Sequence, residues 1–171
     1  MNYHQDTYLY KGTIVTNTWI KTSEIEKYSP ITQVYGVIFD DEGNILIGRE
    51  SKYGSWIIPG GHPEKGESIE ETLKRELLEE VDVEIENIKP LGVQKVTFPD
   101  DSDKNKAIYQ VRCIAKLKKL NPQTPDPANG NTWEREYVLS NQITEYVKWG
   151  KTGEAMFNDA IELYFSLNPI V

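Results

Sequence analysis

Hydrophobic residues recur at every fourth position from residue 69 to residue 81, a spacing that predicts an apolar stripe along an amphipathic helix. Ser68 stands directly before this pattern, and Glu71 follows it three residues later, which is the arrangement of a capping box. We therefore expect the helix to begin at Ser68. Its apolar stripe consists of Ile69, Leu73, Leu77 and Val81.

Alternating and β-branched segments on both sides of this helix predict strands. A turn at residues 40–44 joins the predicted strands at residues 31–39 and 45–47 into a hairpin. Residues 7–18 are also rich in Tyr, Thr, Val and Ile, and we expect one or two short strands there. The main predicted strands are residues 31–39, 45–47, 55–59, 88–98, 107–117 and 133–139.

Two further helices are predicted after the last strand. The first covers residues 140–148 with Ser140 as its cap, and the second, which is amphipathic, covers residues 153–167. The chain has no internal repeat and no linker that separates two domains. We therefore expect a single domain over residues 1–171, in which residues 1–30 extend the core at its N-terminus. Strands intermixed with helices predict an α/β fold of the α+β type with a mixed sheet.

The composition is typical of soluble globular proteins, with 38% hydrophobic and 27% charged residues among 171. No apolar run is long enough to span a membrane, and the first residues lack the pattern of a signal peptide. The single cysteine, Cys113, excludes an internal disulfide framework, and its apolar neighbours indicate an inert thiol in the core. These features favour the cytoplasm.

The formal net charge of −8 disfavours broad binding to nucleic acid, which requires a basic surface. It remains compatible with a small phosphorylated substrate, because a bound metal ion reverses the local electric field.

Three acids form a cluster at the edge of the apolar stripe. At about 100° per residue, Glu80 lies roughly 20° from Leu73 at the centre of the stripe, Glu76 roughly 60° and Glu79 roughly 120°. Partly buried carboxylates at this spacing are costly unless they are paired or bound to metal. Arg75 alone cannot neutralise all three. Mg²⁺ can, because it prefers oxygen ligands and shares them readily with phosphates.

The alternative interpretation of these acids is a solvated face of the helix. Most runs of charge are solvated, but a solvated face lies opposite the apolar stripe. Here the acids overlap the apolar side, so we favour the metal site.

The stretch from Gly61 to Val83 resembles the Nudix box, G-x5-E-x7-R-E-U-x-E-E-x-G-U, in which U is aliphatic. One fixed position departs from this pattern, because Asp82 stands where the box has glycine. A left-handed residue often ends a helix at such a position, and aspartate tolerates that conformation. We therefore expect Asp82→Gly to be neutral or slightly stabilising. The matching residues are Gly61, Glu67, Arg75, Glu76, Leu77, Glu79, Glu80 and Val83.

The resemblance implies a fold in which a mixed β-sheet lies between helices and the box forms a loop, a helix and a second loop. It also implies that Glu76, Glu79 and Glu80 bind Mg²⁺ or Mn²⁺, with the backbone carbonyl of Gly60 as a further ligand. Water would then attack one phosphorus of a diphosphate while a carboxylate accepts its proton.

The resemblance assigns the remaining roles less sharply. Arg75 is implied to orient the acids, and Glu67 and Gly61 to have structural roles. Either a box glutamate or a glutamate from a later segment is the base. Glu134 and Glu136 are the later candidates, and alternation places both on one face of the predicted strand. The sequence does not choose between them, and neither is required.

Several residues outside the box are weaker candidates. Arg49 stands at the end of a strand, where a phosphate contact and a surface salt bridge are equally compatible with the sequence. His62 lies beside the glycines as a substrate contact or as a loop residue without a role. Trp56 fits the core better than a ligand site. The long loop at residues 121–131 is expected to flank the substrate pocket.

The resemblance implies a metal-dependent pyrophosphohydrolase that cleaves the phosphoanhydride of a nucleoside diphosphate linked to another moiety. Candidate substrates are nucleoside triphosphates, oxidised nucleotides, nucleotide sugars, dinucleoside polyphosphates and ADP-ribose. One alternative is removal of pyrophosphate from an RNA 5′ end. The other is a sensor of the same fold that binds nucleotide without turnover, although such relatives usually lack box carboxylates that are present here. A homodimer is the default expectation for a small enzyme.

Overall fold

A computed structural model describes residues 4–100 and 106–169 and shows a mixed sheet with helices on both faces. The strand order is β1-β2-β6-β7-β3-β4-β8, with β5 paired to β3, and β3 runs parallel to β7. None of the described helices combines the length and the hydropathy needed to cross a bilayer. The strands are β1 (His4–Tyr10), β2 (Thr13–Lys21), β3 (Ile31–Phe39), β4 (Ile45–Arg49), β5 (Gly60–Gly61), β6 (Val83–Thr97), β7 (Ala107–Leu120) and β8 (Glu134–Val138). The helices are α1 (Ile69–Val81), α2 (Ile143–Tyr146) and α3 (Gly150–Leu167), with 3-10 turns at Ile25–Lys27 and Ser140–Gln142.

The core consists of two apolar layers, one on each face of the sheet. Successive residues of β3 point to opposite layers. Val34 and Ile38 pack in the layer of α1, whereas Val37 and Phe39 pack in the layer of α3. This arrangement confirms the predicted α+β fold and holds α1 rigidly against the sheet. The helix residues with at most 2% exposure in these layers are Leu73, Leu77, Val81, Ile143, Met156, Phe157 and Ala160.

The predicted strand at residues 55–59 is wrong, because only Ile57 forms a β-bridge there, with Gly48. Pro59 has no N–H to donate, and its carbonyl accepts a hydrogen bond from the Gly36 N–H at 3.0 Å. The segment is an extended connection that leads the chain into β5.

The helix predicted at residues 140–148 is also wrong in its extent. A 3-10 turn comes first, α2 is four residues long, and the Ser140 side chain makes no capping hydrogen bond. Val147 has an extended backbone, which ends α2 after one turn. The chain then turns back toward the sheet before α3.

Helix α3 begins at Gly150, earlier than the predicted residue 153, because a distant side chain caps it. The carboxylate of Asp6 in β1 accepts hydrogen bonds from the Thr152 N–H at 2.7 Å and the Thr152 hydroxyl at 2.9 Å. Burial raises the pKa of Asp6, but the hydrogen bonds from Thr152, together with the backbone N–H and the charge of Lys151, outweigh it and bring the pKa below its ordinary value. The N-terminal hairpin therefore extends the sheet and fixes the start of α3.

Strand β6 begins directly after α1, well before the predicted residue 88. Val83 and Ile85 are buried, but Asn87 has a positive φ of 56° and the pairing with β7 shifts register around Pro90. These irregularities interrupt the alternation that sequence reasoning relies on.

Candidate active site

Two glycines bring the backbone of β5 against the carboxylates of α1. Gly60 pairs with Tyr35 and Gly61 with Val34. Gly60 has a φ of 145°, and a Cβ there would lie 2.2 Å from the Val34 carbonyl oxygen. A Cβ on Gly61 would lie 2.4 to 2.5 Å from the carboxylate atoms of Glu76. Backbone atoms therefore exclude any side chain at Gly60, whereas a side chain at Gly61 would push the Glu76 carboxylate out of its position.

Helix α1 has the ends that the sequence predicts. Its capping box is complete, with the Glu71 N–H donating to the Ser68 hydroxyl at 3.2 Å and the Ser68 N–H donating to the Glu71 carboxylate at 2.8 Å. Asp82 ends the helix in the left-handed conformation, at φ 52° and ψ 46°. The acids of the helix therefore have fixed positions relative to the glycines.

Arg75 holds three acids of the box together. Its Nε and Nη2 donate to the two oxygens of Glu67 at 2.7 and 3.0 Å, and its Nη1 donates to Glu76 at 2.9 Å and Glu79 at 3.2 Å. Nη2 also donates to the His62 carbonyl at 2.9 Å. Hydrogen bonds from Arg75 lower the pKa of Glu67 to about 2. The hydrogen bonds with Glu67 and Glu76 outweigh burial and raise the pKa of Arg75. This geometry fits an orienting role for Arg75.

Glu80 turns away from Arg75 toward the glycine loop. Its Oε2 accepts a hydrogen bond from the Gly60 N–H at 3.0 Å. Burial raises the pKa of Glu80 to about 8, and although the Gly60 hydrogen bond lowers it, the neighbouring charges of Glu76, Asp126 and Glu50 raise it further. Burial likewise raises the pKa of Glu76. The site thus places acids where ionisation is unfavourable without a compensating cation.

The acids Glu76, Glu79 and Glu80 line a cavity of about 390 Å³, which we call the carboxylate cavity. Two acids outside the box face this cavity as well. Asp126 is 6% exposed and accepts hydrogen bonds from the Ala128 N–H at 2.7 Å and the Trp133 indole N–H at 3.2 Å. Glu50 accepts a hydrogen bond from the Asn129 side chain at 2.9 Å. Six acids line the cavity: Glu50, Glu64, Glu76, Glu79, Glu80 and Asp126.

Sequence reasoning missed Glu50 and Asp126, although it expected the loop at residues 121–131 to flank the pocket. The structure places Asp126, Ala128 and Asn129 of that loop on the cavity. The available signal was a single acid between two prolines, Pro125 and Pro127, in a loop without other charge.

The two late glutamates lie elsewhere. Glu134 accepts a hydrogen bond from the Arg49 Nε at 2.9 Å, and the Arg49 guanidinium lies 4.4 Å from the ring centroid of Trp56. Glu136 is exposed on β8, opposite Ile47. Neither glutamate lines the carboxylate cavity. Arg49 therefore forms the salt bridge that was one of its two alternatives, whereas the exposed His62 does line the cavity.

Asp82 does more than end the helix. Its side chain is 6% exposed and accepts hydrogen bonds from the Thr124 N–H at 2.9 Å and the Thr124 hydroxyl at 2.6 Å. Arg135 reinforces this junction by donating to the carbonyls of Val81 at 2.7 Å and Asn121 at 2.8 Å. The expectation that glycine would serve equally well at residue 82 is therefore corrected: aspartate ties the loop that carries Asp126 to the end of α1.

The acids fit a divalent metal by their chemistry. Among residues 4–100 and 106–169, no three His, Cys, Asp or Glu side chains already converge as ligands on one point. Hydrogen bonds hold the carboxylates instead. Arg75 donates to Glu76 and Glu79, and the Gly60 N–H donates to Glu80. Carboxylate oxygens are the ligands that Mg²⁺ and Mn²⁺ prefer, and a cation beside Glu80 would offset the burial that raises the pKa of this side chain.

A comparison with known families matches residues 30–154 to the NUDIX domain. This match covers most of the chain, and the chain belongs to the NUDIX family. The fold also resembles solved structures, including the Bacillus subtilis pyrophosphohydrolase BsRppH. That comparison has a TM-score of 0.66 and 19% identity, and it covers 95% of this chain and 98% of the other. The mixed sheet between helices is thus the NUDIX fold.

Curated relatives match over shorter stretches. The mouse mitochondrial NAD(P)H pyrophosphatase NUDT13 is 35% identical over 99 residues, which is 57% of this chain and 26% of that protein. The zebrafish 8-oxo-dGDP phosphatase NUDT18 is 36% identical over 83 residues, 43% of this chain and 26% of that protein. The RNA pyrophosphohydrolase of Wolbachia pipientis is 40% identical over 60 residues, 34% of this chain and 36% of that protein. The matched stretches span only about a quarter to a third of these relatives.

Proposed function

We propose that this protein is a metal-dependent hydrolase that cleaves the phosphoanhydride of a nucleoside diphosphate linked to another moiety. The observation that carries the proposal is the set of box carboxylates around the Gly60–Gly61 backbone. Arg75 joins Glu67, Glu76 and Glu79, and Glu80 is held by the Gly60 N–H with a raised pKa. A solvated acidic face would not need glycines fitted against the carboxylates.

We assign the residues of the site separate roles in binding the metal ion and in positioning its ligands. Glu76 and Glu80 would hold Mg²⁺ or Mn²⁺, with the Gly60 carbonyl as a further candidate ligand from the same loop, and Glu79, the third acid of the cluster, is left to act on the attacking water. A bound cation of this kind supplies neutralisation of the diphosphate and lowers the pKa of water. Arg75 keeps the acids in position through the hydrogen bonds described above.

Glu79 is the preferred proton acceptor for the attacking water. Its side chain is 34% exposed, against 14% for Glu76, and one of its oxygens is held by Arg75 at 3.2 Å. The other oxygen remains available to water. A positioned base of this kind contributes roughly 10²- to 10⁴-fold to a rate.

The names of the matched relatives define the substrates to test, because they include an NAD(P)H pyrophosphatase, an 8-oxo-dGDP phosphatase and an RNA pyrophosphohydrolase. The net charge of −8 disfavours the RNA alternative. The intact set of box acids disfavours the sensor alternative, since a protein that only binds nucleotide does not need a catalytic base.

The test measures phosphate, pyrophosphate and nucleotide release from a panel with Mg²⁺, with Mn²⁺ and with chelator. The panel contains nucleoside triphosphates, 8-oxo-dGDP, NADH, ADP-ribose, a nucleotide sugar, a dinucleoside polyphosphate and 5′-triphosphorylated RNA. We expect metal-dependent release from at least one small nucleotide, and its loss in Glu80→Gln. Glu70→Gln is the matched control, because Glu70 is exposed on the same helix and pairs with Lys74 at 2.6 Å. Nucleotide binding without release from any substrate would instead support the sensor.

A further inference from the structure

A second and larger cavity, of about 890 Å³, adjoins the carboxylate cavity. Gln33 and Tyr35 of β3 line both cavities, so the two meet along that strand. The rest of its wall comes from β1, β2, β6, β7, the connection that contains Ser55 and Ile57, and the segment around Trp149 at the start of α3. Its volume is in the range of small-molecule sites, roughly 300–1,000 Å³. A group attached to a diphosphate in the carboxylate cavity would extend into it.

The floor of this second cavity is a row of glutamines across three neighbouring strands. Gln94 of β6 pairs with Gln110 of β7, and Gln110 pairs with Gln33 of β3. All three line the cavity. Within the described part of the chain, the side chains of Gln33 and Gln94 make no hydrogen bond to another residue. Such amides add nothing to an apolar core, so the row is suited to a polar, uncharged ligand.

Arg112 follows Gln110 on the same face of β7 and is 2% exposed. Its guanidinium lies 4.6 Å from the ring centroid of Tyr35 and 5.2 Å from that of Trp149. Its Nη2 donates to the Gln110 side-chain oxygen at 2.9 Å, whereas its Nε has no partner. Within residues 4–100 and 106–169, no carboxylate forms an ion pair with Arg112. A buried cation without an acidic partner is rare unless a ligand compensates for it.

These contacts leave donors around Arg112, whereas the buried side-chain oxygen of Asn17, on the wall of the same cavity, is an acceptor without a partner. The Gln110 oxygen already accepts a hydrogen bond from Arg112, which leaves the Gln110 amide N–H groups as donors for a ligand. Asp6 is the acid on the wall, but Thr152 already engages its carboxylate. Lys148 adds a further positive charge at the rim. The complementary ligand presents adjacent acceptors.

We propose that this cavity receives the base of the substrate, and that Arg112 and Gln110 select a 6-oxopurine over a 6-aminopurine. A 6-oxopurine presents two adjacent acceptors, O6 and N7, and arginine is their common partner, whereas the amino group of adenine is a donor at the same place. The inference rests on the proposed function for the position of the diphosphate. Beyond that function, it specifies that the substrate is a 6-oxopurine nucleotide.

Calorimetry with nucleosides and nucleoside monophosphates, in chelator, tests this directly, because these ligands contain no phosphoanhydride. We expect guanosine and inosine to bind more tightly than adenosine by a factor of about 5 to 150, the range for one good pair of hydrogen bonds. The monophosphates GMP, IMP and AMP should show the same order. Equal binding of the nucleosides would overturn the proposal. So would competition by inorganic phosphate without any preference for a base, since it would make Arg112 an anion site.

Two variants of Gln110 test the residues while leaving Arg112 in place. Gln110→Leu should remove most of the preference for guanosine. Gln110→Glu gives Arg112 a carboxylate partner and places an acceptor in the cavity, so the preference should shift toward adenosine. Gln5→Leu is the matched control, because Gln5 lies exposed on β1, bonded only to Thr18, and outside the cavity. An unchanged preference in both Gln110 variants would refute the assignment.

The proposal and the proposed function fail separately. Base preference without hydrolysis would leave the cavity assignment intact and overturn the hydrolase. Conversely, the protein could hydrolyse guanine and adenine nucleotides with metal at equal kcat/KM and bind both nucleosides equally. That result would leave the hydrolase intact and overturn the cavity assignment.

Discussion

Replacing Asp82 by the glycine of the family pattern should destabilise this protein. The change removes two hydrogen bonds from Thr124 to a carboxylate that is 6% exposed. Hydrogen bonds to charged groups contribute about 1.5–3 kcal/mol each. Thr124 is itself exposed, so water replaces part of this loss and the lower end of the range applies. Glycine also relieves the positive φ of 52°, which returns up to about 1 kcal/mol.

The net loss is therefore about 1–2 kcal/mol, or about 2–8 °C in Tm for a chain of this size. Thermal and denaturant unfolding of the metal-free protein measure it. Activity should fall as well, because Asp82 anchors the loop that carries Asp126 into the carboxylate cavity. Asn87→Gly is the matched control, since Asn87 also has a positive φ, 56°, but is exposed and forms no hydrogen bond to the described residues of this loop. It should be neutral or slightly stabilising.

An Asp82→Gly protein as stable and as active as its parent would refute this reasoning. Asp82 would then only end α1, as the sequence alone indicates. Thr124→Val in both backgrounds separates the alternatives, because the two substitutions should be less than additive if they remove the same hydrogen bonds.

Four further predictions concern the acids of the site and the residues that position them. Metal-free protein should lose stability as pH rises from about 4.5 to about 8, because folding raises the pKa of Glu80 to about 8 and the unfolded chain releases that proton first; denaturation in chelator should show a flatter profile for Glu80→Gln. Mg²⁺ affinity measured by calorimetry should rise over the same interval, since binding displaces the proton. Arg75→Gln should lower kcat by about 10²-fold or more through misplaced acids, with little change if Arg75 is merely a surface ion pair. Gly61→Ala should abolish activity, because its Cβ would overlap the Glu76 carboxylate at 2.4 to 2.5 Å.

Local patterns predicted the box helix closely. The capping box and the four-residue spacing gave its start and buried face, and the sterics of residue 82 gave its end. Both signals are contained within a few residues, so sequence alone carries them. The strand at residues 31–39 was equally clear, because its alternation is uninterrupted.

The features that sequence reasoning missed depend on contacts between distant segments. Asp6 caps α3 from the first strand, and Asp82 anchors Thr124 across a whole hairpin. Glu50 and Asp126 meet the box acids only because the sheet and the loop bring them there. Local periodicity does not predict contacts between residues that are distant in sequence, so these residues resembled ordinary turn and loop positions.

The turnover of Glu79→Gln beside Glu70→Gln is the measurement that tests the central claim most directly. Both substitutions remove one charge from α1, but only Glu79 faces the carboxylate cavity. With Mg²⁺ and the best substrate of the panel, we predict that Glu79→Gln lowers kcat by about 10²- to 10⁴-fold, while Glu70→Gln stays within a few-fold of the parent. Equal activity of the two variants would contradict the assignment of the box acids as the catalytic site.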